Sequence, residues 1–111
     1  MTIWIDVSTS NNQLILMDDK TILKTYPIAV GKMLSPTPTG IYTIINKEVH
    51  PPAPFGALWM GLSKSHFGIH GTNNPASIDK NLPHGCIRMT NQNVQDLSSL
   101  VPLGTRVSIH K

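Results

Sequence analysis

Cysteine is almost missing from this chain of 111 residues, in which Cys86 is the only one. A single cysteine excludes an internal disulfide, and therefore excludes a scaffold that depends on disulfides. Long apolar runs are missing too, since no stretch approaches the roughly 18 residues that a membrane-spanning helix needs. We therefore expect no transmembrane segment. The opening MTIWIDVST has the pattern of a strand, and not that of a signal peptide.

Charged residues are also scarce, at 14% of the chain, and the formal net charge is +3. The 9 lysines and arginines form no cluster dense enough for a nucleic-acid-binding surface, so we expect no nucleic-acid partner. Proline and glycine are plentiful by comparison, with 9 and 8 residues. This composition is typical of a compact, turn-rich β domain. The length predicts a single domain over residues 1–111 with a core of its own.

Apolar and polar residues alternate in the first part of the chain, as they do in half-buried strands. The pattern predicts strands at IWIDV (3–7), QLILM (13–17) and TILKTYPIAVG (21–31). IYTIINKE (41–48) and GTRVSIH (104–110) are rich in β-branched residues and predict further strands. We expect a mainly antiparallel β domain.

One short helix is predicted near the C-terminus. Thr90 or Asn91 can serve as its N-cap, and Pro102 and Gly104 can end it. The apolar residues that fall near a helical stripe are Val94, Leu97, Leu100 and Val101.

The segment VHPPAPFGA (49–57) is stiffened by three prolines and lies between predicted strands. It is either an ordinary surface loop or a wall over a neighbouring cleft. The residues alone leave both interpretations open.

The chemistry-bearing residues are concentrated in GIHGTNNPASIDKNLPHGCIRMTN (68–91). Thiol catalysis needs a thiolate, a histidine that moves its proton, and backbone N–H groups aimed at an oxyanion. Cys86 can supply the thiol, and the N–H groups of Gly85 and Cys86 can supply the oxyanion hole. The carbonyl of Gly71 can accept a hydrogen bond from the ring of His70. In extended segments, His84 would share a face with Cys86, and His66 with His70.

Two other interpretations of this segment remain. A lone cysteine in a small domain is commonly a buried apolar residue. A zinc site is also conceivable, formed by His70, His84 and Cys86 with His66 or Asp79 as the fourth ligand. The usual paired cysteine spacing of zinc sites is missing, so we rank the zinc site below the thiol nucleophile.

Three motifs in order resemble a known family: TPTGIYTI (37–44), HFGIHGTNNP (66–75) and HGCIRM (84–89), followed by the predicted helix. They are similar to the catalytic domain of L,D-transpeptidases of the ErfK and YkuD type, which are bacterial cell-wall enzymes. The segment at 5–32 also resembles the first hairpins of that domain. The resemblance implies a mainly β, β-sandwich-like fold with the cysteine in a groove and one short helix near the C-terminus.

The resemblance also implies a reaction and a set of catalytic residues. Cys86 would attack a peptidoglycan tetrapeptide stem, release D-alanine and form a thioester, which an amine of a second stem resolves into a 3→3 cross-link. His70 would give and take the proton, and the Gly71 carbonyl would orient its ring. His84 would shape the substrate site, and Gly85 with Cys86 would form the oxyanion hole. No cofactor and no metal are implied.

We expect Arg88, His66, Trp59 and Asn73 to contact the substrate, with the Arg88 guanidinium suited to a stem-peptide carboxylate. Pro83 departs from the family pattern, in which serine or threonine precedes the His-Gly-Cys core. The lost hydroxyl is not one of the groups that make or break bonds.

Three rival functions remain beside the transpeptidase. They are an L,D-carboxypeptidase using the same acyl-enzyme, a peptidoglycan-binding module in which Cys86 is merely packed, and a zinc hydrolase. For the transpeptidase, the expected partners are tetrapeptide stems as donor and acceptor, and the expected form is a monomer. The expected location is the cell wall or another extracytoplasmic surface, including that of a spore.

Overall fold

A computed structural model of the chain describes residues 2–31, 37–53, 55–74, 76, 78, 81, 82 and 86–111. These residues include ten β-strands and one α-helix. In chain order the elements are β1 (Ile3–Ser8), β2 (Gln13–Asp18), β3 (Thr21–Pro27), β4 (Val30–Gly31), β5 (Gly40–Val49), β6 (Leu58–Leu62), β7 (Gly68–His70), β8 (Asn81–Leu82), β9 (Ile87–Arg88), α1 (Asn91–Leu100) and β10 (Arg106–His110).

Eight of the strands form one sheet in the order β3-β2-β1-β10-β5-β6-β7-β9. Most neighbours are antiparallel, but β1 and β10 run parallel, as do β7 and β9. The short strands β4 and β8 pair separately and in parallel. The predicted mainly β fold with one short helix is confirmed. The segment predicted as one strand over 21–31 is divided between β3 and β4.

The core joins the two ends of this sheet. Ile5 and Leu14, near one end, belong to the same buried cluster as Ile69 and Ile87, near the other end. One cluster can include both ends only if the sheet curls around it. In β1 the alternation follows the prediction from Trp4 to Val7, because Ile5 and Val7 are fully buried while Trp4 and Asp6 are partly exposed.

The predicted helix is present and begins at the predicted cap. The Thr90 hydroxyl accepts a hydrogen bond from the Asn93 N–H at 3.1 Å, so Thr90 is the N-cap. Val94 and Leu97 are completely buried. Leu100 was expected on the same apolar stripe, but it is 44% exposed because it lies at the end of the last turn.

A lysine from the sheet holds the C-terminal end of α1. The helix has no basic residue in its last turn. Instead, the Nζ of Lys47 in β5 donates to the carbonyls of Ser98 at 2.8 Å and Val101 at 2.5 Å. A cation at this end of a helix satisfies free carbonyls and interacts favourably with the helix dipole. This contact therefore fixes α1 against the sheet.

We expect Lys47→Met to lower the free energy of unfolding by about 2 kcal/mol, because it removes charge-assisted hydrogen bonds from a partly buried position. Urea unfolding followed by circular dichroism measures this change. Lys64→Met is the matched control, since Lys64 is exposed and its side chain makes no hydrogen bond or ion pair with the described residues. Equal unfolding midpoints for the two variants would contradict this role of Lys47.

Candidate active site

The parallel pair of β7 and β9 brings the predicted chemistry together. Ile69 pairs with Ile87, and His70 pairs with Arg88. Both isoleucines are fully buried in the core. Since side chains alternate along a strand, His70 and Arg88 point to the opposite face. Cys86 directly precedes β9 and packs in part against the core cluster.

The pairing extends across four strands as a row of directly opposed residues. Glu48 in β5 pairs with Trp59 in β6, Trp59 pairs with His70 in β7, and His70 pairs with Arg88 in β9. Directly opposed residues lie on the same face of a sheet. We call these four residues the transverse row. It has a carboxylate at one end, a guanidinium at the other, and the imidazole between them.

The His70 ring is held in one orientation by the next residue. Its Nδ1 lies 2.8 Å from the carbonyl oxygen of Gly71. A carbonyl can only accept a hydrogen bond, so Nδ1 carries the hydrogen, and in the neutral ring Nε2 carries the lone pair. A Cβ at Gly71 would lie 2.3 Å from Oδ1 of Asn91, so a larger residue here would displace the Asn91 side chain. The predicted contact between Gly71 and His70 is present.

Two aromatic side chains pack against the His70 ring. Trp59 stacks on it with the ring centroids 5.8 Å apart and an interplanar angle of 20°. Phe55 meets it edge-on, with a centroid distance of 5.1 Å. Together they leave His70 only 4% exposed. Trp59, predicted to contact substrate, thus lies directly against the predicted base.

Cys86 is partly buried and contacts the segment before β7. Its Sγ lies 3.9 Å from the main-chain carbonyl oxygen of His66 and can donate to it. Burial raises the pKa of the Cys86 thiol above its ordinary value, while a backbone hydrogen bond with Gly68 and the charge of Arg88 lower this pKa in part. The resting thiol is therefore neutral near pH 7 and needs a base to become a nucleophile.

His66 does not lie on β7 as the alternation suggested. Its φ is +59°, which is the left-handed region, and the strand begins only at Gly68. Strand alternation therefore does not place its ring beside His70. His66 nevertheless remains near the thiol through its main-chain carbonyl.

Two cavities border the transverse row, one at each end. The Arg88 cavity has a volume of about 370 Å³ and is lined by Ala53, Thr72, Asn73, Asn74 and Arg88. The Glu48 cavity has a volume of about 340 Å³ and is lined by Glu48, Pro52, Phe55, Trp59 and His66. The proline-rich segment contributes to both linings. It therefore forms part of the wall of each cavity.

Asn91 is a structural residue of the site that sequence reasoning considered only as a helix cap. Its Oδ1 accepts from the Ala57 N–H at 2.8 Å, and its Nδ2 donates to Oδ1 of Asn73 at 2.9 Å. It therefore connects the segment leading into β6 with the segment that follows His70. No local pattern indicates this role, because both partners are distant in sequence.

Several predicted residues lie outside the described part of the chain, namely Asp79, Pro83, His84 and Gly85. Across the ranges that are described, no group of three or more histidine, cysteine, aspartate or glutamate residues is arranged to hold a metal ion. In these same ranges, no helix has the length and apolar character needed to cross a membrane.

Comparisons with known proteins agree with this geometry. Residues 2–109 match the model of the YkuD family, described as the L,D-transpeptidase catalytic domain. The chain is 56% identical over 107 residues to a putative L,D-transpeptidase YkuD of Bacillus subtilis, covering 96% of this chain and 65% of that protein's length. It is 32% identical to a putative L,D-transpeptidase YqjB of the same organism, covering 96% of this chain and 70% of that protein.

The fold is also similar to a solved structure. The catalytic domain of an E. faecium L,D-transpeptidase, determined by NMR, superimposes with a TM-score of 0.83 at 24% identity. The match covers 97% of this chain and 96% of that domain.

The contribution of Arg88 to the thiol is testable through alkylation. We expect Arg88→Gln to raise the pKa of Cys86 further, because it removes a positive charge that favours the thiolate. Iodoacetamide should then modify Cys86 more slowly at pH 8, and the pH dependence of the rate should move upward. Arg106→Gln is the control, since Arg106 lies over the ring of Trp4 in another part of the sheet. Equal rates in the two variants would contradict the electrostatic influence of Arg88.

Proposed function

Because the chain belongs to the YkuD family of L,D-transpeptidase catalytic domains, we propose that it is a cysteine L,D-transpeptidase acting on peptidoglycan stem peptides. The observation that carries this proposal is the β7–β9 pairing, with His70 opposite Arg88 on the strand that begins directly after Cys86. The proposed site of action is the cell wall, outside the cytoplasm.

In the first half-reaction, His70 takes the thiol proton of Cys86 on Nε2, and the thiolate attacks a peptide carbonyl of the donor stem. The carbon attacked is that between the diamino acid and the terminal D-alanine. Collapse of the tetrahedral intermediate breaks the C–N bond. His70 returns its proton to the leaving nitrogen, so D-alanine departs as an amine and a thioester remains.

In the second half-reaction, the side-chain amine of an acceptor stem attacks the thioester carbonyl. The C–S bond breaks, an amide bond forms, and the product is a 3→3 cross-link. His70 accepts the proton from the attacking nitrogen and gives it back to the departing sulfur. If water attacks in place of the amine, the product is a shortened stem, and the enzyme acts as a carboxypeptidase.

The environment of His70 supports its role as the base. The hydrogen bond to the Gly71 carbonyl keeps the hydrogen on Nδ1, so Nε2 carries the lone pair and is the proposed nitrogen for proton transfer. The stacking of Trp59 and Phe55 limits rotation of the ring. A fixed base removes part of the entropic cost of reaching the reactive geometry.

The remaining proposed roles are substrate binding and stabilisation of the oxyanion. The N–H groups of Gly85 and Cys86 are the proposed oxyanion hole, and His84 is proposed to shape the site. Arg88 is the proposed contact for a stem carboxylate. In its support, Nε of Arg88 is buried and has no hydrogen-bond partner among the described residues, and the side chain lines a cavity. Asn73 lines the same cavity and is proposed as a second substrate contact.

The decisive experiment is mass spectrometry of the products formed from a disaccharide-tetrapeptide. We expect a dimer whose mass is that of two substrates less one alanine, and no product with Cys86→Ala. We expect His70→Gln to lower the rate by about a hundredfold or more, because it removes the base. His110→Gln is the control, since His110 pairs with Asp6 on the β10–β1 side of the sheet.

The products separate the rival functions. Shortened monomer without dimer would identify a carboxypeptidase. An unchanged substrate, together with a thiol that is alkylated only after denaturation, would support the binding module. Activity of Cys86→Ala equal to that of the unmodified chain would overturn the thiol mechanism.

A further inference from the structure

Glu48 is a carboxylate that the proposed catalytic steps do not use. It lies at the β5 end of the transverse row, directly opposite Trp59. It is exposed and has neither a hydrogen bond nor an ion pair with any described residue. The adjacent Lys47 does not neutralise it, because Lys47 points to the other face and binds carbonyls at the end of α1.

The cavity beside Glu48 combines a negative charge with aromatic walls. Phe55 and Trp59 line it, with ring centroids 4.9 Å apart and planes inclined at 56°. Aromatic faces attract organic cations, and a carboxylate adds a charge-assisted hydrogen bond. A volume of about 340 Å³ is enough for an aliphatic side chain that ends in an ammonium group.

This cavity also adjoins the thiol. His66 is part of its lining, and the carbonyl of the same residue contacts Sγ of Cys86. Trp59 is shared as well, since it lines the cavity and stacks on His70. The cavity is therefore separated from each member of the proposed catalytic pair by a single residue, and it lies toward the opposite end of the row from Arg88.

The two ends of the transverse row carry opposite charges. Three inter-strand steps separate Glu48 from Arg88, which places their backbones roughly 15 Å apart. An anionic group is favoured at the Arg88 end and a cationic group at the Glu48 end. The row therefore presents opposite charges at its two ends to groups that approach the site.

We propose that the Glu48 cavity is an ammonium site that captures the amine of the acceptor stem, with Glu48 as the residue that selects an amine over water. This inference rests on the transpeptidase function proposed above and deepens it. The captured ammonium loses one proton to solvent and attacks the thioester as the neutral amine. It loses a second proton to His70 as the amide bond forms and the C–S bond breaks.

Binding alone is measured first, in the Cys86→Ala variant, which forms no acyl-enzyme. Titration with n-butylammonium chloride, followed by NMR at the indole N–H of Trp59, should show saturable binding. The neutral 1-pentanol, which has a similar shape, should bind more weakly. Adding Glu48→Gln should weaken ammonium binding about tenfold, and adding Asp18→Asn should not change it. Equal binding of the two probes would overturn the ammonium site.

The same site is tested by measuring KM and kcat for the acceptor stem in variants that keep Cys86. We expect Glu48→Gln to raise the KM for the acceptor stem about tenfold with a much smaller change in kcat, and to lower the ratio of dimer to hydrolysed monomer. Glu48→Asp should restore part of the effect. Asp18→Asn, which removes a carboxylate from β2, should keep the original ratio. Added salt should raise the KM of the unmodified chain more than that of Glu48→Gln.

The outcomes separate this inference from the function on which it rests. D-alanine release with an acceptor KM that Glu48→Gln does not change would overturn the ammonium site and leave the transpeptidase intact. No D-alanine release and no thioester adduct would overturn the transpeptidase. Ammonium binding that depends on Glu48 would then still support a cation site, but the assignment of the acceptor amine as its ligand would be wrong.

Discussion

The site depends on the hydrogen-bonded register of β7 with β9. These strands are only three and two residues long, yet they decide which side chains meet. With Ile69 opposite Ile87 in the core, His70 and Arg88 are directed to the other face, and Cys86 directly precedes β9. A shift by one residue would bury the imidazole among apolar residues and expose the isoleucines. The packing of the core therefore also fixes the register of the site.

The helix α1, packed against the core on one side of the sheet, supports the candidate site on the other side. The helix packs its Val94 and Leu97 into the core, and Lys47 holds its C-terminal end. Asn91, in the first turn of the helix, connects two segments near the site. The face that carries the chemistry thus rests on a packed layer, which is what a site with an oriented base requires.

The thiol and the imidazole have complementary environments. Burial makes the resting thiol of Cys86 neutral, and the Gly71 carbonyl keeps the hydrogen of His70 on Nδ1. In the proposed mechanism, the pair exchanges a proton when a substrate arrives and carries no separated charges at rest. The proline-rich segment contributes to the linings of the Arg88 cavity and the Glu48 cavity, and in our proposal the charge of an incoming group determines which of the two it favours.

The sequence by itself determined the strands β1, β2, β3, β5 and β10, the helix and the candidate residues for chemistry, while the short strands β6 to β9 were not predicted. Alternation in β1 and the cap at Thr90 are local patterns, and Cys86 and His70 are recognisable by type and motif. Only the tertiary structure decided which residues face one another. The left-handed turn at His66, the exposure of Leu100 and the link through Asn91 have no local signal. The pairing of Glu48 with Trp59 likewise depends on register between strands, which follows from how the whole core packs.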